Sequence, residues 1–117
     1  MSARSFYITL RNLTSLDLNR KDLGLEHGEW GDGGKDVPPE YIPAGGVSRW
    51  GSESDGFMTG TEGFVAYNSS AGQVVFNWDD PYVGSNGFTV QVPAGYGKTI
   101  SDYHGNNADV SVVIYKL

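Results

Sequence analysis

In the stretch Trp78–Asn86, WDDPYVGSN, two adjacent carboxylates stand between two large aromatics, just ahead of a loop-forming Pro, Gly and Asn run. Acids of this kind cleave glycosidic bonds in pairs or ligate calcium, and Glu53, Asp55 and Glu62 are the acids that could join Asp79 and Asp80. Neighbours on a strand point to opposite faces, so the two aspartates are not expected to share one reacting bond. The expectation is an Asx-type turn in which Asp80 helps close the strand before Pro81, with calcium held by further loop oxygens as the alternative.

Other chemistry finds less support. His27 and His104 are far apart in Gly-rich surroundings, and zinc would need a third ligand, so both read as loop residues. The serines lack a G-x-S-x-G elbow. GYGKT at Gly95–Thr99 is similar to the end of a phosphate-binding loop, but the required first glycine falls on Val92 and no helical pattern follows. There is no cysteine, which excludes disulfides and thiolate chemistry. No enzyme activity, metal or cofactor is expected. Asn12-Leu13-Thr14 and Asn68-Ser69-Ser70 are glycosylation sequons, expected to be unused without a secretory signal.

The aromatics make up 13% of the chain, more than one small core requires. Phe6, Phe64, Phe76 and Tyr115 lie on strand patterns and read as core. Phe57, Trp78, Tyr82 and Phe88 lie in or beside turns. Two readings stand for these four: they plug the ends of the fold, or they meet a headgroup, a sugar ring or a partner.

The elements that must position these residues are strands. Phe6, Ile8 and Leu10 alternate with Tyr7, Thr9 and Arg11, which is the two-residue period of a half-buried strand. Leu16–Leu25 alternates partly, then runs into GDGGK, which cannot hold a helix. Prolines confine Tyr41-Ile42 to an edge or a connection. Val47–Glu53 reads as a strand, residues 63–67 and 73–78 as a hairpin, Phe88–Val92 and Asp109–Leu117 as further strands. With 17 glycines and no helical stripe, the chain is expected to be an all-β sandwich or barrel forming one domain over residues 1–117.

Charge narrows the partners. The net charge is −6, with seven acids against six bases in residues 1–50 and seven against two in residues 51–117. Phosphate backbones and anionic headgroups call for clustered Lys and Arg, so nucleic acid is not an expected partner, whereas neutral or zwitterionic lipid is compatible. No apolar run approaches the roughly 20 residues of a membrane-spanning helix, and neither a signal peptide nor an integral anchor is expected.

Within this frame SESDGFMTGTEG (Ser52–Gly63), the strand ending at Tyr67, the following hairpin and WDDPYVGSN closely resemble the aegerolysin family. The resemblance is strongest to the bacterial branch that contains the small component of insecticidal binary crystal toxins. The opening MSAR, Trp30 after a glycine and the spacing from Trp50 to DGFMTGTEG fit as well, and the similarity runs from the N-terminus to about Asn86. It implies a β-sandwich of the aegerolysin (actinoporin-like) type and a non-enzymatic, toxin-like protein that recognises membrane lipid, often sphingolipid-rich. A larger β-rich pore-forming partner is implied too, as is cytoplasmic inclusion or release without classical secretion. By the same resemblance Phe57, Trp78, Asp79 and Tyr82 form the lipid-facing rim, with Asp55 and Asp79 orienting the loops or a headgroup. Fungal members have W-D-C-P-W-G-S, where this chain has Asp80 and Tyr82 with Val83 inserted. A lectin-like module that stacks Trp or Tyr on sugars is the alternative, and oligomeric state is left open.

Overall fold

A computed structural model describes residues 3–117; Met1 and Ser2 of the opening MSAR lie outside the described residues. Two five-stranded sheets face each other. The strands are β1 (Ser5–Asn12), β2 (Leu18–His27), β3 (Glu29–Trp30), β4 (Tyr41–Ile42), β5 (Val47–Glu53), β6 (Thr61–Ser69), β7 (Gly72–Asp80), β8 (Gly87–Gln91), β9 (Tyr96–Ile100) and β10 (Asn107–Lys116). The order is β3-β5-β1-β10-β9 in one sheet and β4-β2-β6-β7-β8 in the other. The first sheet is antiparallel except at its centre, where β1 and β10 run parallel with Ser5 opposite Asn107.

Alternation decides what is inside. Phe6, Ile8 and Leu10 of β1 and Val110, Val112 and Ile114 of β10 face the core, as do Val74, Phe76 and Trp78 of β7. Trp50 packs edge-on against Phe76 with ring centres 5.1 Å apart, and Phe6 meets Phe88 at 5.4 Å. Trp50, Phe6 and Phe76 are among the largest fully buried side chains, and such burial stabilises by roughly 25 cal/mol per Å² removed from water.

Most expected strands are present, with four differences. Register shifts at Arg20/Asp22 and Leu25/His27 of β2 break its alternation, which is why residues 16–25 alternate only in part. Gly31–Gly34 forms one four-residue helical turn (α1), yet Asp32 and Gly33 within it are left-handed, so no true helix is built there. Strand β9 covers the GYGKT stretch, for which no strand was expected. Phe64 and Tyr115 are half-buried rather than core, because each points outward beside inward neighbours, Gly63 and Val65 for Phe64 and Ile114 for Tyr115. Their rings lie over glycines, Phe64 over Gly24 and Tyr115 over Gly97, where no side chain competes for the space.

Candidate functional site

The strand directions bring four segments to one end of the sandwich: the N-terminal Ala3-Arg4, the β5–β6 loop (54–60), the β7–β8 loop (81–86) and the β9–β10 loop (101–106). Hydrogen bonds tie them together. Ser54 N donates to Arg4 O at 2.9 Å, and Arg4 N donates to Ser54 Oγ at 3.1 Å. Arg4 Nη2 donates to Tyr82 O at 2.8 Å, and Asn86 Nδ2 donates to Tyr103 O at 2.8 Å. The rim is therefore one connected surface.

Its apolar tip keeps Phe57 of the expected rim and adds Met58 and Val83. Phe57 is 90% exposed, and its neighbour Met58 (56%) and Val83 (83%) are, among the described residues, the other large apolar side chains at this end left in water. Thr59 closes the tip by accepting from Gly56 N and donating to Gly56 O through its hydroxyl. The tight turn holds Met58 at φ 57, a left-handed conformation that a non-glycine residue rarely adopts. Met58 and Val83 were missed because one lies within a motif read for its Phe and the other is an inserted aliphatic without chemistry.

Trp78 does not belong to the rim. It is 1% exposed, and its Nε1 donates to Ser52 Oγ at 2.8 Å. The cause is the alternation of β7, which points Trp78 inward with Phe76 and Val74. Phe88 is buried for the same reason on β8. Tyr82 is half-buried, with the Arg4 guanidinium 4.5 Å from its ring centre. Asp55 is exposed, and Asp79 is half-buried on the outer face of its sheet.

Asp80 departs furthest from expectation. It faces the interior and is 1% exposed, makes no Asx turn, and its Oδ2 has no hydrogen-bond partner. Burial pushes its carboxyl up to about 6, with Asp79 adding to the shift; the positive charge of Arg4 and a hydrogen bond from the Ser5 backbone pull the other way. The two aspartates do point to opposite faces, as a strand requires.

Between the tip and the outer face of the first sheet lies a groove of about 960 Å³. Tyr7, Tyr82, Phe57 and Met58 give it aromatic and thioether walls, and Glu29, Glu53 and Asp55 give it charge, with no Lys or Arg in its lining. Glu29 and Glu53 are direct cross-strand partners, a like-charge pairing that costs stability unless something cationic answers it. Tyr7 is fixed from below: its ring lies over Gly51, and its hydroxyl donates to Asp36 Oδ2 at 2.5 Å. Burial and the Asp36 hydrogen bond raise the Tyr7 phenol well above its ordinary range, so it stays neutral.

On the other sheet His27, Glu62 and Asp79 stand in one cross-strand row. Among the described residues, no group of three His, Asp or Glu side chains is placed to hold a metal ion. His104 pairs with Asp102 at 2.6 Å and stacks on Tyr103 in an exposed loop. Asn12 is fully buried and hydrogen-bonded, so the first sequon is closed to modification in the folded chain.

Comparison with known proteins places this geometry. The family model described as Aegerolysin matches residues 3–113. An uncharacterized protein of Dictyostelium discoideum is 36% identical over 115 residues, covering 96% of this chain and 10% of that protein. The chain thus spans about a tenth of the length of the curated relative it matches. The crystal structure of the lipid-binding protein Nakanori superimposes with a TM-score of 0.76 at 13% identity, over 95% of this chain and 71% of that one. At that identity the likeness is one of fold.

Proposed function

The chain belongs to the aegerolysin family, and from that premise we propose that it is a non-enzymatic protein that recognises membrane lipid through the end of the sandwich carrying Phe57, Met58 and Val83. The observation that carries this reading is the exposure of those three side chains beside an acidic, aromatic-walled groove. Large apolar side chains held in water at one end of a small domain are suited to burial at the boundary of headgroup and acyl chain. Burying Phe57 alone is worth about 1.5–3 kcal/mol.

The groove suits the ammonium of a zwitterionic headgroup. Glu29, Glu53 and Asp55 supply the attraction, while Tyr7 and Tyr82 stand in the walls with an arginine already against each ring, Arg49 4.7 Å and Arg4 4.5 Å from the ring centres. Asp79 lies on the opposite flank of Tyr82 and shapes the second wall of the rim. The same acids repel anionic lipid, so phosphatidylcholine or sphingomyelin, a sphingolipid, is the better target than phosphatidylserine.

A toxin-like role follows as part of the same reading. The chain acts as the targeting component of a pore-forming, insecticidal pair, raising the local concentration of a larger β-rich protein at the target-cell membrane. Its support is the resemblance of the DGFMTGTEG and WDDPYVGSN blocks. In this role it is held in a cytoplasmic inclusion or released without classical secretion.

Vesicle sedimentation tests the lipid reading. Phosphatidylcholine–sphingomyelin vesicles should retain the protein, and replacing part of the lipid with phosphatidylserine should weaken retention, most at low salt. Retention on a glycan array with none on vesicles would replace this reading with the lectin-like one.

A further inference from the structure

We propose that Arg4 is the positioning residue of this end of the molecule, a latch that holds Tyr82 and its loop against the groove, and that buried Asp80 is its rival partner, releasing the latch when it carries charge.

The geometry supports both halves. Arg4 joins two loops to the N-terminal segment: its backbone is paired with Ser54, its Nη2 donates to Tyr82 O, and its guanidinium lies over the Tyr82 ring. Few single side chains join segments so distant in sequence. Arg4 Nε is nevertheless buried without a partner, and so is Asp80 Oδ2. A buried donor on a cation and a buried acceptor on an acid, both left unsatisfied in one neighbourhood, each forgo a charge-assisted hydrogen bond. Among the described residues the two make no salt bridge, although the Arg4 charge acts on the Asp80 carboxyl.

Two arrangements therefore compete. In the one observed, Arg4 serves Tyr82 and Asp80 keeps the Ser5 backbone hydrogen bond with its Oδ2 unmet, which suits a protonated carboxyl. In the other, an ionised Asp80 draws the guanidinium inward, and Arg4 gives up the Tyr82 carbonyl and ring. Asp79 on the same strand, Glu62 opposite Asp79 on β6 and Asp55 in the neighbouring loop are acidic, and the titratable His27 stands across Glu62 on β2, in the outward-facing row of Asp79 rather than beside the inward-facing Asp80. Among the described residues Arg4 is the cation whose charge acts on the Asp80 carboxyl. Burial already moves the Asp80 titration to about pH 6, so the exchange falls in a mildly acidic window. The latch rests on the proposed lipid site only for its consequence, since its own motion is read without lipid.

The test follows the Arg4 Nε–H and Tyr82 ring signals by NMR in the 117-residue chain from pH 5 to pH 8. Both should move together with a midpoint near 6. Asp80→Asn should hold both in the low-pH position at every pH, and Arg4→Lys, which keeps the charge but loses the planar stack, should leave the Tyr82 ring in its high-pH position throughout. Arg4 and Tyr82 signals that stay still across the range in the wild type overturn the proposal whether or not the variants fold, and so does an Asp80→Asn titration like the wild type. On phosphatidylcholine–sphingomyelin vesicles the wild type should bind roughly tenfold more tightly at pH 5 than at pH 8, with Asp80→Asn insensitive to pH. An intact NMR transition with no vesicle binding at any pH would keep the latch and remove the lipid reading.

Discussion

Trp78 Nε1 donates to Ser52 Oγ at 2.8 Å, and the bond crosses from one sheet to the other. It begins a directed chain. Ser52 Oγ lies 2.7 Å from Thr61 Oγ1, which donates to His27 O, so the Ser52 hydroxyl must donate to Thr61. Every member is satisfied, in a place where an unmet polar group would be costly. Ser52→Ala should strand the buried indole N–H and destabilise the fold by about 1–3 kcal/mol. Urea unfolding measures this, and vesicle binding per folded molecule should not change.

Phe57 and Val83 should show the opposite pattern. Phe57→Ala and Val83→Ser remove side chains that touch little, so stability should move by less than about 0.5 kcal/mol. Vesicle binding should fall by roughly tenfold for each. Full binding by the double variant in a sedimentation assay would take the tip out of the lipid contact.

For Asp80 the sign follows from the direction of its shift. Its folded value, about 6, lies above the ordinary 3.8, so the folded state holds this proton more tightly than the unfolded chain. The penalty for burying its charge is complete above pH 6 and is relieved as pH falls towards 4. From this group alone the protein should be more stable at pH 5 than at pH 7.5, and Asp80→Asn should remove most of that dependence. At neutral pH the variant should gain up to about 3 kcal/mol. Guanidinium melts of both proteins at the two pH values decide it.

Gly51 is held by sterics rather than by backbone conformation. A Cβ there would come within 2.4 Å of Tyr7 Cδ2. Gly51→Ala should lift the Tyr7 ring, weaken its bond to Asp36 and cost about 1–3 kcal/mol, measured by thermal unfolding. Loss of groove function should accompany it, seen as weaker vesicle binding by the molecules that remain folded.

Much of the sandwich is legible in single strands because a two-residue period is local. Ser5–Asn12, Val47–Glu53 and the β6–β7 hairpin announce themselves by alternation and turn residues alone. The inward position of Trp78 was legible too, since it continues the series Val74, Phe76. Its place beside a turn drew it to the rim instead. Glu29 and Glu53 could not be seen as a pair, because they meet only when β3 adds to the edge of β5.

By itself the sequence determined the strands, the absence of thiol chemistry, the acidic balance and the motifs that mark the family, all properties carried by neighbours along the chain. Only the tertiary structure decided which rings stay wet, which acid is buried and which loops share an end. Those outcomes depend on the parallel pairing of the first strand with the last and on the facing of two sheets, contacts between residues about a hundred positions apart that no local period encodes.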